Sequence, residues 1–192
     1  MSKFIKTLTA AAAVSAAVVG TASAQDALQW QGFYGGLEIQ SINPDMSSLN
    51  LPFGSDENVV LFGGYNHALG GDWVVGGELS YGSDATATAI PGLDLTLEDT
   101  ITLRGRVGYT IGNVLLYGSL GYVDTDVSLA GLSGDLSADG PVFGLGFEAM
   151  IANNISARIE YSRSSMDLSG GGVPPGFDID TNAVSLGVAY HF

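Results

Sequence analysis

Seven charged side chains stand among apolar and very small residues: Glu38, Glu78, Glu148 and Glu160, with Arg104, Arg106 and Arg158. Groups of these types can move protons at a reacting centre, or they can pair as buried ions. The rest of the inventory favours pairing. Only two histidines, His67 and His191, could serve as neutral-pH bases, and serine is plentiful without a base beside it. Cysteine is absent, which removes thiol nucleophiles, disulfides and Cys-based metal sites. The glycine-rich stretch GYNHALGG at residues 64–71 has neither the G-K-[ST] ending of a phosphate loop nor a following helix pattern. No calcium-loop spacing occurs. Residue types and spacing therefore predict no catalytic residue, no metal and no cofactor.

The elements that must position these charges are strands. Segments of about ten residues with period-2 alternation, separated by turn residues, predict an all-β fold: an eight-stranded antiparallel up-and-down transmembrane β-barrel. The strands are expected at residues 29–40, 57–66, 72–82, 96–111, 114–124, 141–151, 155–166 and 181–192. Connections alternate between short (68–71, 112–113, 152–154) and long (41–56, 83–95, 125–140, 167–180). Membrane barrels have this asymmetry, with short periplasmic turns and long outer loops.

Period-2 alternation also fits a soluble barrel with an apolar interior, so the polar face decides between the two. That face reads Tyr34, Gly36 and Glu38; Gly76, Glu78 and Ser80; Gly144, Gly146 and Glu148; Ala183, Ser185, Gly187 and Ala189. A water-facing exterior would be dense in charge. This one is small and nearly uncharged, as a narrow lumen requires. The other face is aliphatic, with aromatics toward its ends: Tyr65, Trp73, Tyr109 and Tyr190 at the periplasmic level, and Tyr81, Tyr122 and Tyr161 at the outer level, as in the aromatic girdles of membrane barrels. In the first strand Phe33, Leu37 and Ile39 are then expected to face lipid.

By the same parity the seven charges point inward, since an arginine facing lipid at mid-bilayer costs about 2–4 kcal/mol. At similar depth in their strands, they form an expected ion-pair layer across the lumen. Two turns set the register there. A two-residue turn at Gly112-Asn113 puts Ile111 opposite Val114, Tyr109 opposite Leu116 and Arg106 opposite Ser119. A three-residue turn at 152–154 puts Ile151 opposite Ile155 and Glu148 opposite Arg158. A shift by one step would place Glu148 against Glu160, a like-charge pair, so a direct Glu148–Arg158 salt bridge is expected.

The 192-residue chain has a mean hydropathy of +0.28 and 14% charged residues, too apolar for disorder. Residues 1–24 have the pattern of a cleaved Sec signal peptide: Lys3 and Lys6, an apolar stretch at 8–19, and Ala22-Ser23-Ala24 before Gln25. The expected mature domain, 25–192, carries four arginines against 20 acidic residues, a formal charge of −16, which excludes nucleic-acid binding. Fourteen of those acidic residues fall at the outer rim and loops, with Arg163 opposing them. They could bridge through divalent cations to lipopolysaccharide phosphates or form a solvated acidic surface.

The start W-x-G-F-Y-x-G at Trp30 to Gly36, the eight alternating strands, and the end L-x-V-x-Y-x-F (Leu186, Val188, Tyr190, Phe192) resemble the OmpA-like small outer membrane β-barrel family of Gram-negative bacteria, especially the porin-like barrels of alphaproteobacteria. The resemblance implies an outer membrane location, contact with lipid and lipopolysaccharide, a monomer, and periplasmic chaperones and barrel assembly machinery as biogenesis partners, the closing motif serving as assembly signal. The chain stops at its last strand, so the peptidoglycan-binding domain of longer relatives is not expected. Some barrels of this kind modify lipid A, but His67 and His191 fall at periplasmic strand ends, away from the leaflet that holds that lipid. The expected function is structural, in envelope integrity, with a narrow cation-preferring channel as the alternative and a lipid A-modifying enzyme as a lesser one.

Overall fold

The computed structural model describes residues 27–46, 51–52, 56–90, 93–129, 136–170 and 178–192; the expected signal segment and parts of the long outer connections lie outside them. The strands are β1 (Gly32–Met46), β2 (Leu51–Pro52), β3 (Asp56–Gly70), β4 (Trp73–Gly82), β5 (Ala85–Ile90), β6 (Leu93–Ile111), β7 (Val114–Leu129), β8 (Leu136–Ala152), β9 (Ile155–Gly170) and β10 (Asp178–His191). Eight of them close a ring in the order β1-β3-β4-β6-β7-β8-β9-β10, with β10 antiparallel to β1 from Tyr34↔His191 to Asp45↔Asp180. Closure leaves the ring without a free sheet edge, which a barrel in hydrocarbon requires.

Parity is as the alternation predicts through the lower part of the ring. Phe33, Leu37, Ile39, Leu79, Leu103, Leu145 and Leu186 are each at least half exposed on the outside, while Glu38, Ser80, Arg104, Glu148 and Ser185 are buried inside. The β6–β7 turn has the expected register, Ile111↔Val114, Tyr109↔Leu116 and Arg106↔Ser119, with Gly112 at φ +62°. At the β8–β9 turn the register places Glu148 opposite Arg158 as expected, but the turn is tighter than expected: a bulge lies between Met150 and Ala152, and Ala152, not Ile151, faces Ile155.

Two corrections concern the strand ends. Residues 28–30 do not begin the first strand. They form a 3₁₀ turn that folds Trp30 into the barrel mouth. At the other end the strands run well past the expected limits: β7 to Leu129, β9 to Gly170, β8 from Leu136 and β10 from Asp178, and β5 pairs with the start of β6 inside the expected 83–95 loop. In these extensions the hydropathy inverts. Leu97, Val123, Val127, Leu136, Ala138, Val142, Met166, Leu168 and Ile179 pack inward as one cluster, and Asp124, Asp126, Arg163, Ser165 and Asp167 point out. The barrel therefore has a lipid-facing lower part and an upper part built like a soluble β-protein. On β6 the switch is made by a bulge at Asp99–Thr100, with Asp99 at φ +46°, which turns Leu97 inward although Ile101 and Leu103 face out.

Candidate functional site

All seven charged residues lie inside the ring, each with 6% exposure or less, and they form one connected network. Arg158 on β9 reaches across the lumen: its Nε and Nη2 donate to Glu38 Oε2 at 3.0 and 2.7 Å, and its Nη1 donates to Glu78 Oε2 at 2.7 Å. Arg104 on β6 pairs with Glu160 on β9 and lies 3.6 Å from Glu78. Arg106 donates to Glu148 Oε2 at 3.2 Å and to Asn66 Oδ1 at 2.9 Å. The direct Glu148–Arg158 bridge expected from the register is not among these contacts. The two residues are neighbours in the sheet, but each side chain bonds elsewhere, because a long arginine in a narrow lumen reaches the far wall more readily than its own neighbour.

Aromatic rings pack into the same layer. The Arg106 guanidinium lies over the Tyr34 ring at 4.2 Å, and that of Arg158 over Phe62 at 3.4 Å. The Tyr34 hydroxyl donates to Glu78 Oε2 at 3.1 Å. Space for the rings on this wall comes from glycines paired with them on the adjacent strand: a Cβ on Gly146 would sit 2.4 Å from the Tyr117 ring, and one on Gly36 would sit 2.6 Å from Phe62 and 2.1 Å from the Val188 carbonyl.

Below the layer, toward the turns, lies a group that sequence reasoning did not assemble. His191 Nε2 is 3.0 Å from Ser156 Oγ and 3.2 Å from Glu148 Oε1, and Ser156 Oγ also bonds that same carboxylate oxygen. The signal in the sequence that identifies His191 is its inward parity on β10, shared with Ser185 and Ala189. The three residues have the composition of a hydrolytic triad without its geometry. A triad holds serine on one ring nitrogen and the carboxylate on the other, whereas here both meet Nε2. The T-shaped contact with Trp30 at 5.4 Å covers His191, and Trp30 packs with Ala27, Val74, Leu115 and Tyr117. His67 is exposed on the outer face of β3.

The seven girdle residues are outward and between 40% and 53% exposed: Tyr65, Trp73, Tyr109 and Tyr190 near the short turns, and Tyr81, Tyr122 and Tyr161 near the start of the extensions. Trp73 and Tyr81 are separated on β4 by roughly 27 Å of strand, which a tilt of about 40° turns into roughly 21 Å of height, near the apolar band of about 25 Å. Several hydroxyls are anchored: Tyr109 donates to Asp72 at 3.0 Å, Tyr161 to Asn182 at 2.8 Å, Tyr81 to Asp99 and Tyr122 to Asp139. Of the closing motif, Leu186, Val188, Tyr190 and Phe192 all face outward, with Tyr190 against Phe192 at 5.0 Å. At the rim, the Asp178 carboxyl is held above the usual carboxylate range by a hydrogen bond with Asp167.

Four likenesses bear on identity. The outer membrane protein beta-barrel domain family matches residues 10–192. A 22 kDa outer membrane protein of Rhizobium leguminosarum bv. viciae is 32% identical over 176 residues, covering 85% of this chain and 78% of the relative. Among solved structures, Neisserial surface protein A aligns with a TM-score of 0.58 at 16% identity, covering 84% of this chain and 98% of its own. The attachment invasion locus protein Ail of Yersinia pestis, in complex with a heparin analogue, aligns with a TM-score of 0.59, also at 16% identity, covering 84% and 99%. At that identity the two structures speak for the fold, and the family match and the Rhizobium relative for kinship. The chain belongs to the outer membrane protein beta-barrel domain family and is an eight-stranded antiparallel barrel of the outer membrane.

Proposed function

We propose that this protein is a closed barrel whose role is structural, in the integrity of the outer membrane. The observation that carries this reading is occlusion at three successive levels of the lumen. The inward apolar cluster around Val127, Leu136 and Ile179 fills the outer extension, the Glu–Arg network crosses the middle, and Trp30 with its neighbours fills the periplasmic mouth. An eight-stranded ring is just wide enough for side chains to fill it. Planar-bilayer recording of the purified protein should therefore show no unitary conductance. Reproducible cation-selective steps would replace this reading with the narrow-channel alternative.

Further parts of the proposal concern the surroundings of the barrel. Export begins with cleavage of a signal after Ala24, the outward-facing Leu186-Val188-Tyr190-Phe192 motif is read by the assembly machinery with chaperone help, and the protein then sits as a monomer in lipid. Its acidic rim would contact lipopolysaccharide phosphates through divalent cations; the upward shift of the Asp178 carboxyl beside Asp167 reflects the crowding of rim carboxylates. Calcium or magnesium should raise thermal stability more in lipopolysaccharide-containing membranes than in neutral detergent. Equal stabilisation in both media would remove the bridging.

A further inference from the structure

Residues 25–192 contain four arginines and no lysine, and three of the arginines are buried in the lumen network. Arg163 is the fourth. Its side chain, 60% exposed, points outward from β9 on a rim otherwise rich in carboxylates. Its neighbours set its depth. Tyr161 of the outer girdle lies two positions below on the same face, and the lipid-facing Phe143 stands opposite on β8, while the exposed Ser165 lies two positions above. Two residues along a strand tilted by about 40° raise Arg163 roughly 5 Å above Tyr161, within the polar layer of about 6 Å that borders the hydrocarbon. The guanidinium therefore sits among lipid headgroups.

It is not satisfied within the protein. The one carboxylate it approaches, Asp180 Oδ2 at 3.7 Å from Nη2, lies beyond hydrogen-bond distance. Asn182 stands directly opposite Arg163 on β10. The Tyr161 hydroxyl donates to Asn182 Oδ1 at 2.8 Å, which fixes the amide and leaves Nδ2 without a bond among the described residues. Two adjacent strands thus present a guanidinium fork and an amide N–H₂ side by side, and both groups can only donate. The fitting acceptor is an anion with several oxygens. A phosphate monoester offers three oxygens and nearly two charges, enough to engage both donors, whereas a phosphodiester has two free oxygens and one charge.

We propose that Arg163 and Asn182 form a direct binding site for a phosphate monoester of lipid A. The remaining charged side chains of the rim are carboxylates, which reach a phosphate only through a bridging cation. This is the point on the rim where phosphate can be held without one. The inference rests on the reading of lipopolysaccharide as a partner and deepens it, but it does not depend on divalent bridging.

Native mass spectrometry of the full barrel in detergent with EDTA measures retention of added bis-phosphorylated lipid A. The protein should bind it about tenfold more tightly than dephosphorylated lipid A or phosphatidylglycerol, and Arg163→Gln should remove that preference. Asn182→Ala, which keeps the guanidinium and removes the amide, should lose about threefold. Unfolding of Arg163→Gln in neutral detergent should match that of the unmodified protein, because the lumen is untouched, so the loss reads binding and not folding. Added magnesium reports on the acidic rim separately: a rise in retention shared by the protein and Arg163→Gln supports bridging, and no rise removes bridging while the Arg163 site stands. Retention that needs magnesium and ignores Arg163 would keep lipopolysaccharide as a partner and overturn this site. Equal binding of phosphorylated and dephosphorylated lipid A, or of phosphatidylglycerol, in EDTA would also overturn it. No retention under either condition would remove lipopolysaccharide as a partner altogether.

Discussion

Arg158→Ala should destabilise the folded barrel by about 3–5 kcal/mol, more than the loss of any other lumen side chain. The arginine is 1% exposed and holds two carboxylates at once, Glu38 and Glu78, while its face covers the Phe62 ring. Truncation leaves Glu38 buried without its cation and Glu78 with only the longer contacts to Arg104 and Arg106, both already engaged by Glu160 and Glu148. Equilibrium urea unfolding of the barrel in lipid vesicles measures the loss. Double-mutant cycles then distinguish contact from mere adjacency. Arg158 with Glu78 should couple by about 0.5–3 kcal/mol, and Arg158 with Glu148 by less, although only the second pair is opposed in the sheet. Equal coupling would mean that the side-chain assignment within the network is wrong.

That contrast shows where sequence reasoning stopped. Parity and turn length fix which Cα atoms are neighbours, because a strand has only two faces and a hairpin few closures. They gave Arg106 opposite Ser119 and Glu148 opposite Arg158, and both registers are present. Neither rule says where an arginine tip goes once it leaves its own wall. In an eight-stranded ring the far wall is within reach, so partners 80 and 120 residues away in the chain compete with the adjacent strand. Tip positions depend on the whole circumference, including the glycines that admit Tyr34, Phe62 and Tyr117.

The outer halves of the strands were missed for a different reason. Period-2 alternation continues through Val123, Thr125 and Val127 on β7 and through Met166 and Leu168 on β9, with polar residues between. A reading with lipid outside along the entire strand takes those polar outward positions for loop. Above the outer tyrosines the solvent on the outside is water, and the same alternation then describes an apolar interior. Along β7 and β9 the membrane and aqueous parts differ only in which parity is apolar, whereas on β6 the apolar parity is kept and the bulge at Asp99–Thr100 turns it from the outside to the interior at that border.

Trp30→Ala should cost about 3–5 kcal/mol, while Trp30→Phe should cost much less. Trp30 is fully buried in the periplasmic mouth, against Ala27, Val74, Leu115 and Tyr117 and edge-on to His191. Its indole nitrogen has no protein partner, so shape and apolar area carry its contribution, and a phenyl ring supplies most of both. Removing the ring also opens the lower approach to Ser156, His191 and Glu148. Nothing should conduct even then, because the Glu–Arg layer lies above that opening and the apolar cluster above the layer. Bilayer recording of Trp30→Ala therefore separates the tryptophan plug from the two barriers above it. A stability loss without conductance places the seal above the tryptophan, in the charged layer and the apolar cluster, whereas channel activity appearing in this variant would place it in the tryptophan plug and make the ion pairs the lining of a pore.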